Sequence, residues 1–115
     1  MSEAQEQAAV IEYCRYRNIL VYHVPNGGYR NAREAANLKR QGVSPGVPDL
    51  CFPFARCGFH GLYIEMKTKT GRATDKQLNW LNRLRHEGYA AFIARGSGQA
   101  IDLIEQYIAG TLRQP

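Results

Sequence analysis

Cysteine is scarce in this chain. Its three residues, Cys14, Cys51 and Cys57, form an odd set with no C-x-x-C pair, which argues against a zinc site or a disulfide framework. They read as thiols of a reducing cytoplasm, with Cys14 and Cys51 as small buried apolar groups. No apolar run is long enough to span a bilayer, so no membrane partner is expected. The polar start (Ser2, Glu3, Gln5, Glu6, Gln7) carries no secretory signature. Internal repeats and low-complexity tracts are absent. Without a Gly-x-Ser-x-Gly or a P-loop, serine hydrolase and ATPase readings lack support. His23, His60 and His86 do not stand at ligand spacing, and none is assigned to a metal. Acid is the minority charge: 15 Lys and Arg face 10 Asp and Glu, a formal net of +5. That surplus favours a polyanionic partner, most simply nucleic acid.

What is present, within 115 residues, is enough for one domain with a core and too little for two. Residues 3–17 read as a helix with Ala4, Ala8, Ile11 and Cys14/Arg15 as its apolar stripe. Residues 19–24 are β-rich and precede a turn at Pro25-Asn26-Gly27-Gly28. A second helix is expected over 30–41, stopped by Gly42, then a loop, then a short strand at Leu50-Cys51-Phe52 cut by Pro53. Residues 62–68 alternate with period two: Leu62, Ile64 and Met66 point one way, Tyr63, Glu65 and Lys67 the other. Thr74 and Gln77 make a capping box for a helix reaching about His86, with Leu78, Leu81 and Leu84/Arg85 facing inward. A strand over 89–94 and a last helix capped by Ser97 and stopped by Gly110 complete an αβ(α)ββαβα order. That order predicts an α/β fold, a central mixed sheet flanked by helices.

The chemistry sits in Pro48-Asp49-Leu50 and Glu65-Met66-Lys67. Asp49 and Glu65 are equally distant in sequence from Cys57, so a hairpin of symmetric register sets the two carboxylates side by side. Like charges there repel unless a cation lies between them, and a divalent ion such as Mg²⁺ prefers oxygen ligands. The Met66 carbonyl is a further candidate ligand. Lys67 shares a strand face with Glu65, close to where a water or a scissile phosphate would sit, and could orient the nucleophile or stabilise charge. The bland alternative is a turn Asp and a solvated face of an edge strand.

Two basic segments flank this pair. Gly27-Gly28-Tyr29-Arg30-Asn31 leads into a helix bearing Arg30, Arg33, Lys39 and Arg40, and Lys67-Thr68-Lys69-Thr70-Gly71-Arg72 continues past the Glu-x-Lys strand. Glycine turns and helix starts suit phosphate, so Gly27, Gly28, Arg30, Arg33, Lys39, Arg40, Lys69 and Arg72 are expected to touch a nucleic-acid backbone. Gln77 either caps its helix or reaches substrate or Lys67. Trp80, among leucines at helical spacing, reads as packing more than base stacking. Tyr13, Tyr16 and Tyr22 also read as packing residues.

The stretch Pro25-Asn26-Gly27-Gly28, then 38–50 with its Gly46-Val47-Pro48-Asp49-Leu50, then Glu65-Met66-Lys67 and Gln77, resembles the VRR-NUC family, small nucleases of the PD-(D/E)xK, restriction-endonuclease-like superfamily. Stand-alone members occur in bacteriophages and prophages. The resemblance covers nearly the whole chain and implies one nuclease domain over 1–115 with a restriction-endonuclease-like αβββαβ core. The implied activity is Mg²⁺- or Mn²⁺-dependent DNA cleavage, often at branched DNA such as four-way (Holliday) junctions, by a homodimer in the cytoplasm. Asp49 and Glu65 become metal ligands by motif match, Lys67 the catalytic lysine, and Gln77 a site residue. The family also places an acid on the first helix; Glu3 and Glu6 both qualify, and Glu3 is favoured by its spacing to Gln7. The family's eponymous Val-Arg-Arg is not visible here. A non-catalytic DNA-binding module with a vestigial acidic pair is the rival reading, and an RNA nuclease a weaker one.

Overall fold

Two short apolar runs, Leu50–Phe52 and Leu62–Lys67, are both rich in buried side chains and meet across a turn centred near Cys57. The computed structural model describes residues 1–25 and 31–115. In it these runs are strands β2 (Leu50–Phe52) and β3 (Leu62–Lys67), paired antiparallel with Leu50 opposite Ile64 and Phe52 opposite Leu62. β1 (Tyr22–His23) pairs antiparallel with the outer edge of β2, and β4 (Ala90–Arg95) runs parallel to β3. The sheet order is β1-β2-β3-β4, so β3 is an interior strand. Its helices are α1 (Glu3–Arg17), α2 (Ala32–Arg40), α3 (Asp75–His86) and α4 (Ser97–Ala109). The fold is thus the expected α/β arrangement, a four-stranded mixed sheet flanked by helices.

Alternation along the strands divides the packing. Leu62, Ile64 and Met66, with Leu50, Phe52, Ala90 and Ala94, bury against Val10 and Cys14 of α1 and Ala100, Ile104 and Tyr107 of α4. Burying each large side chain contributes about 1.5–3 kcal/mol, so this layer supplies most of the core's driving force. The opposite face carries Ala91, which packs with Leu81 and Leu84 of α3 and with the half-buried Tyr63, Trp80, Tyr89 and Ile93. Glu65 and Lys67 lie on this second face, beyond Tyr63.

Local signals set most boundaries. Ser2 closes a capping box with Gln5 at the start of α1, and Asn18 ends it in the left-handed region at φ 55°. Thr74 and Gln77 form the expected capping box of α3. Cys14 and Cys51 are buried, as expected of small apolar thiols.

Other local expectations are corrected. Only Tyr22–His23 joins the ladder, because β2 offers a partner edge just three residues long. Ile19 and Val21 pack against the core without pairing. The buried side of α1 is Val10 and Cys14; Ala4 and Ala8 are exposed. Leu78 is 42% exposed, so the inner stripe of α3 is Leu81 and Leu84. Tyr16 and Tyr22 are exposed rather than packed. Ser97 is the first residue of α4 and not its cap; Gly96 holds the cap position without a side chain to offer. The orphan Ser97 N–H donates instead to Glu6 Oε2 at 2.5 Å, a tertiary replacement for a local cap. No described helix is long and apolar enough to cross a membrane.

Candidate metal centre

The β2–β3 register decides where the acids fall. With Leu50 opposite Ile64, the next pair outward is Asp49 and Glu65, on one face of the sheet. Pro48 is fully buried and fixes the entry to β2. The Asp49 carbonyl accepts from Val24 N–H at 2.8 Å and lies 2.9 Å from His23 Nδ1. Its carboxylate Oδ2 accepts from Met66 N–H at 2.8 Å. The Asp49 side chain is therefore locked across the strands by backbone.

Glu65 is only 2% exposed, and Lys67, two residues on, 9%. The bland alternative of a solvated edge face does not hold, because β3 is interior and both charges are enclosed. Lys67 Nζ lies 3.7 Å from Glu65 Oε2, and Gln77 Nε2 donates to the same oxygen at 3.1 Å. Gln77 also accepts from Thr74 N–H through Oε1 at 2.9 Å. Capping box and site contact thus coexist in one side chain, and its site partner is Glu65 where Lys67 or substrate was expected. The N-terminus of α1 brings in the third acid: carboxylate oxygens of Glu3, Asp49 and Glu65 all lie within 4.8 Å of one another. Glu6, the other first-helix candidate, turns away to Ser97.

This grouping is electrostatically costly as it stands. Burial, then the Asp49 carboxylate, pushes the Glu65 carboxyl up to about 8, and Glu3 adds to the rise while Lys67 opposes it. Three converging carboxylates with one ammonium beside them leave uncompensated negative charge. A divalent cation relieves it, and an all-oxygen donor set suits Mg²⁺ or Mn²⁺. The residues present therefore fit such an ion. Met66 contributes its N–H to Asp49 and sits between the acid and the lysine on β3.

The matching family model, the VRR-NUC domain, covers residues 1–98. This chain belongs to the VRR-NUC family. Among solved structures, a VRR_NUC domain protein superposes at a TM-score of 0.84 with 32% identity, covering 96% of this chain and 90% of that one. A second VRR_NUC domain gives 0.62 at 24% identity, covering 91% and 96%, and speaks for the fold alone. No curated protein matches the chain. As a VRR-NUC chain it carries a nuclease-type module acting on DNA.

The basic residues of this VRR-NUC chain are placed less tightly. Arg33, Lys39 and Arg40 are exposed on α2, a helix that buries none of its residues. Lys69 and Arg72 are exposed in the loop after β3. Gly27, Gly28 and Arg30, and the turn they belong to, lie outside the described residues. Sequence reasoning missed Arg95, the register partner of Lys67 on β4. Its guanidinium donates to the carbonyls of Thr68 at 2.9 Å and Gly71 at 2.5 Å, pinning the loop that carries Lys69 and Arg72. The available signal was a lone Arg at the end of an apolar strand. Glu6 as a tertiary cap left no such signal.

Proposed function

We propose that this chain, as one nuclease domain over 1–115, is a Mg²⁺- or Mn²⁺-dependent DNA endonuclease of the PD-(D/E)xK type. The observation that carries the reading is the convergence of Glu3, Asp49 and Glu65 within 4.8 Å, with Lys67 Nζ 3.7 Å from Glu65 on a buried strand. Asp49 and Glu65 hold the ion, with Glu3 and the Met66 carbonyl as further donors. The bound cation supplies Lewis-acid polarisation of a phosphate and offsets the charge of the carboxylates. Lys67 orients the attacking water or stabilises the charge building on the phosphate oxygens. Gln77, bonded to Glu65 Oε2, restrains the carboxylate that would help hold the ion. Water adds to phosphorus, a P–O bond breaks, and the departing oxygen takes up a proton.

Gly27, Gly28, Arg30, Arg33, Lys39, Arg40, Lys69 and Arg72 are the backbone contacts of this reading, the cations by charge and the glycines by the close approach a glycine turn allows, all placed around the Asp49/Glu65 pair in sequence. The substrate is branched DNA, four-way junctions included, cut by a homodimer: a second copy supplies a second, symmetry-related site, which suits a two-fold branched substrate. The family's stand-alone members support a phage or prophage origin and action in the host cytoplasm.

The test is a cleavage panel of single-stranded, duplex, flap and four-way-junction DNA with and without Mg²⁺ or Mn²⁺. Lys67→Ala is expected to lower cleavage on the order of a hundredfold or more while leaving DNA binding largely intact. Equal cleavage by that variant rejects the role of Lys67. Calorimetry with Mn²⁺ should show binding that Asp49→Asn removes; unchanged binding favours a non-catalytic module. Sedimentation as a monomer on junction DNA counts against the homodimer.

A further inference from the structure

The helix that supplies Gln77 continues into a feature the acidic site does not use. Trp80 follows Gln77 by three residues, so it stands nearly one turn, about 5 Å, further along the same ridge of α3. It opens a groove of about 410 Å³ between α3, Ser44 of the loop before β2, and Tyr89. That volume lies within the usual range of small-molecule sites. Asn79, Arg83 and Glu87, spaced four residues apart along α3 and its C-cap, also line it. Tyr89 packs against two other rings: it meets Tyr63 edge-on at 5.4 Å between centroids, and His60 at 5.6 Å. Trp80 is half-buried, packed on one side against the Leu81, Leu84 and Ala91 cluster.

We propose that this groove receives an unpaired nucleobase of the DNA strand next to the acidic site. The inference rests on the nuclease reading for the identity of its polymer, and deepens it by naming a locally single-stranded substrate. The indole and the phenol ring of Tyr89 offer aromatic surface to a flat heterocycle. The Asn79 amide has a donor and an acceptor for a base edge, and Arg83 is the complementary charge for the attached phosphate. Glu87, at the C-cap of α3, would repel a phosphate placed beside it, which favours a short stretch of strand over a long one. A duplex end cannot enter, because its bases are stacked on each other.

Trp80 is the chain's single tryptophan, so its fluorescence reports on the groove alone. The experiment titrates wild-type protein in EDTA, where no cleavage occurs, with short oligothymidylate and with a blunt two-strand duplex, without loop or overhang, of equal phosphate count. Binding is followed in parallel by anisotropy of labelled DNA. Oligothymidylate should quench Trp80 and the duplex should not. Tyr89→Leu should weaken oligothymidylate binding about tenfold and leave duplex affinity unchanged. Four results overturn the proposal: no oligothymidylate binding, binding with unchanged Trp80 emission, equal quenching by the duplex, or emission that shifts with protein concentration alone. The last means that a second copy fills the groove. The wild-type titration decides the matter even if Tyr89→Leu does not fold. Cleavage with Mg²⁺ or Mn²⁺ despite an overturned groove leaves the nuclease reading standing, and quenching without cleavage does the reverse.

Discussion

Glu65 shows how much one residue's surroundings can set. In the fold its carboxyl is pushed up to about 8 from an ordinary 4.5, by burial first and by Asp49 second. As pH rises between those values, the unfolded chain releases this proton while the folded chain keeps it. The folded state therefore binds more protons, and the group's contribution to stability, full below 4.5, is lost as pH climbs through about 8. Glu65→Gln removes the titration. In metal-free thermal melts, the variant should gain on wild type steadily from about pH 5 to about pH 8. If the cluster holds a divalent ion as proposed, Mn²⁺ should raise the wild-type melting temperature more at the upper end of that window, where the carboxylates are ionised, and should not raise that of the variant to the same extent. Parallel pH curves for the two proteins in EDTA would contradict this account of Glu65.

At the scale of elements, the site depends on how closely the loop before β2 approaches α3. Gly46 has φ +93°, and a Cβ there would lie 2.7 Å from the Lys76 carbonyl carbon and 3.0 Å from Gln77 N. Only glycine lets this loop lie against the first turn of α3, and that turn carries the side chain bonded to Glu65. Gly42 provides an internal control: its φ is +107°, yet nothing lies within 4 Å of a Cβ there. Both Gly→Ala changes carry the backbone strain of a left-handed residue, about 1–2 kcal/mol. Gly46→Ala should in addition displace the start of α3, and so lower kcat on DNA well beyond any effect of Gly42→Ala. Equal activity losses, measured alongside melting temperatures, would show that Gly46 acts through backbone strain alone. The Arg95 guanidinium, donating to the Thr68 and Gly71 carbonyls, plays a comparable part for the loop after β3.

For the whole molecule, the formal charge of +5 and the exposure of Arg33, Lys39, Arg40, Lys69 and Arg72 tie DNA affinity to ionic strength. Each of these side chains that neutralises a phosphate should contribute roughly one unit to the slope of log affinity against log salt. Replacing one by Ala should therefore weaken binding for all sequences alike and flatten that slope by about one. A variant that loses affinity with no change in slope does not contact phosphate. Lys67→Ala, enclosed beside Glu65, should leave the slope nearly unaltered, which separates the backbone contacts from the site.

The sequence by itself determined the order of the elements, the α3 capping box and the facing of Asp49 and Glu65. The reason is short range: alternation, caps and turn residues act over a few positions, and the symmetry of two strands about Cys57 fixed the register of their hairpin. The Gly-Val-Pro-Asp-Leu and Glu-x-Lys pair made the family legible from the same few residues. Only the tertiary structure decided that Glu3 joins Asp49 and Glu65 while Glu6 caps α4, that Gln77 meets Glu65, and that Trp80 borders a groove. Glu3 and Glu6 lie within a turn of each other on one helix, and only the spacing of Glu3 to Gln7 leaned toward Glu3, the acid that joins the cluster. What separates them is how α1 crosses the end of the sheet, and that depends on side chains brought together from distant parts of the chain.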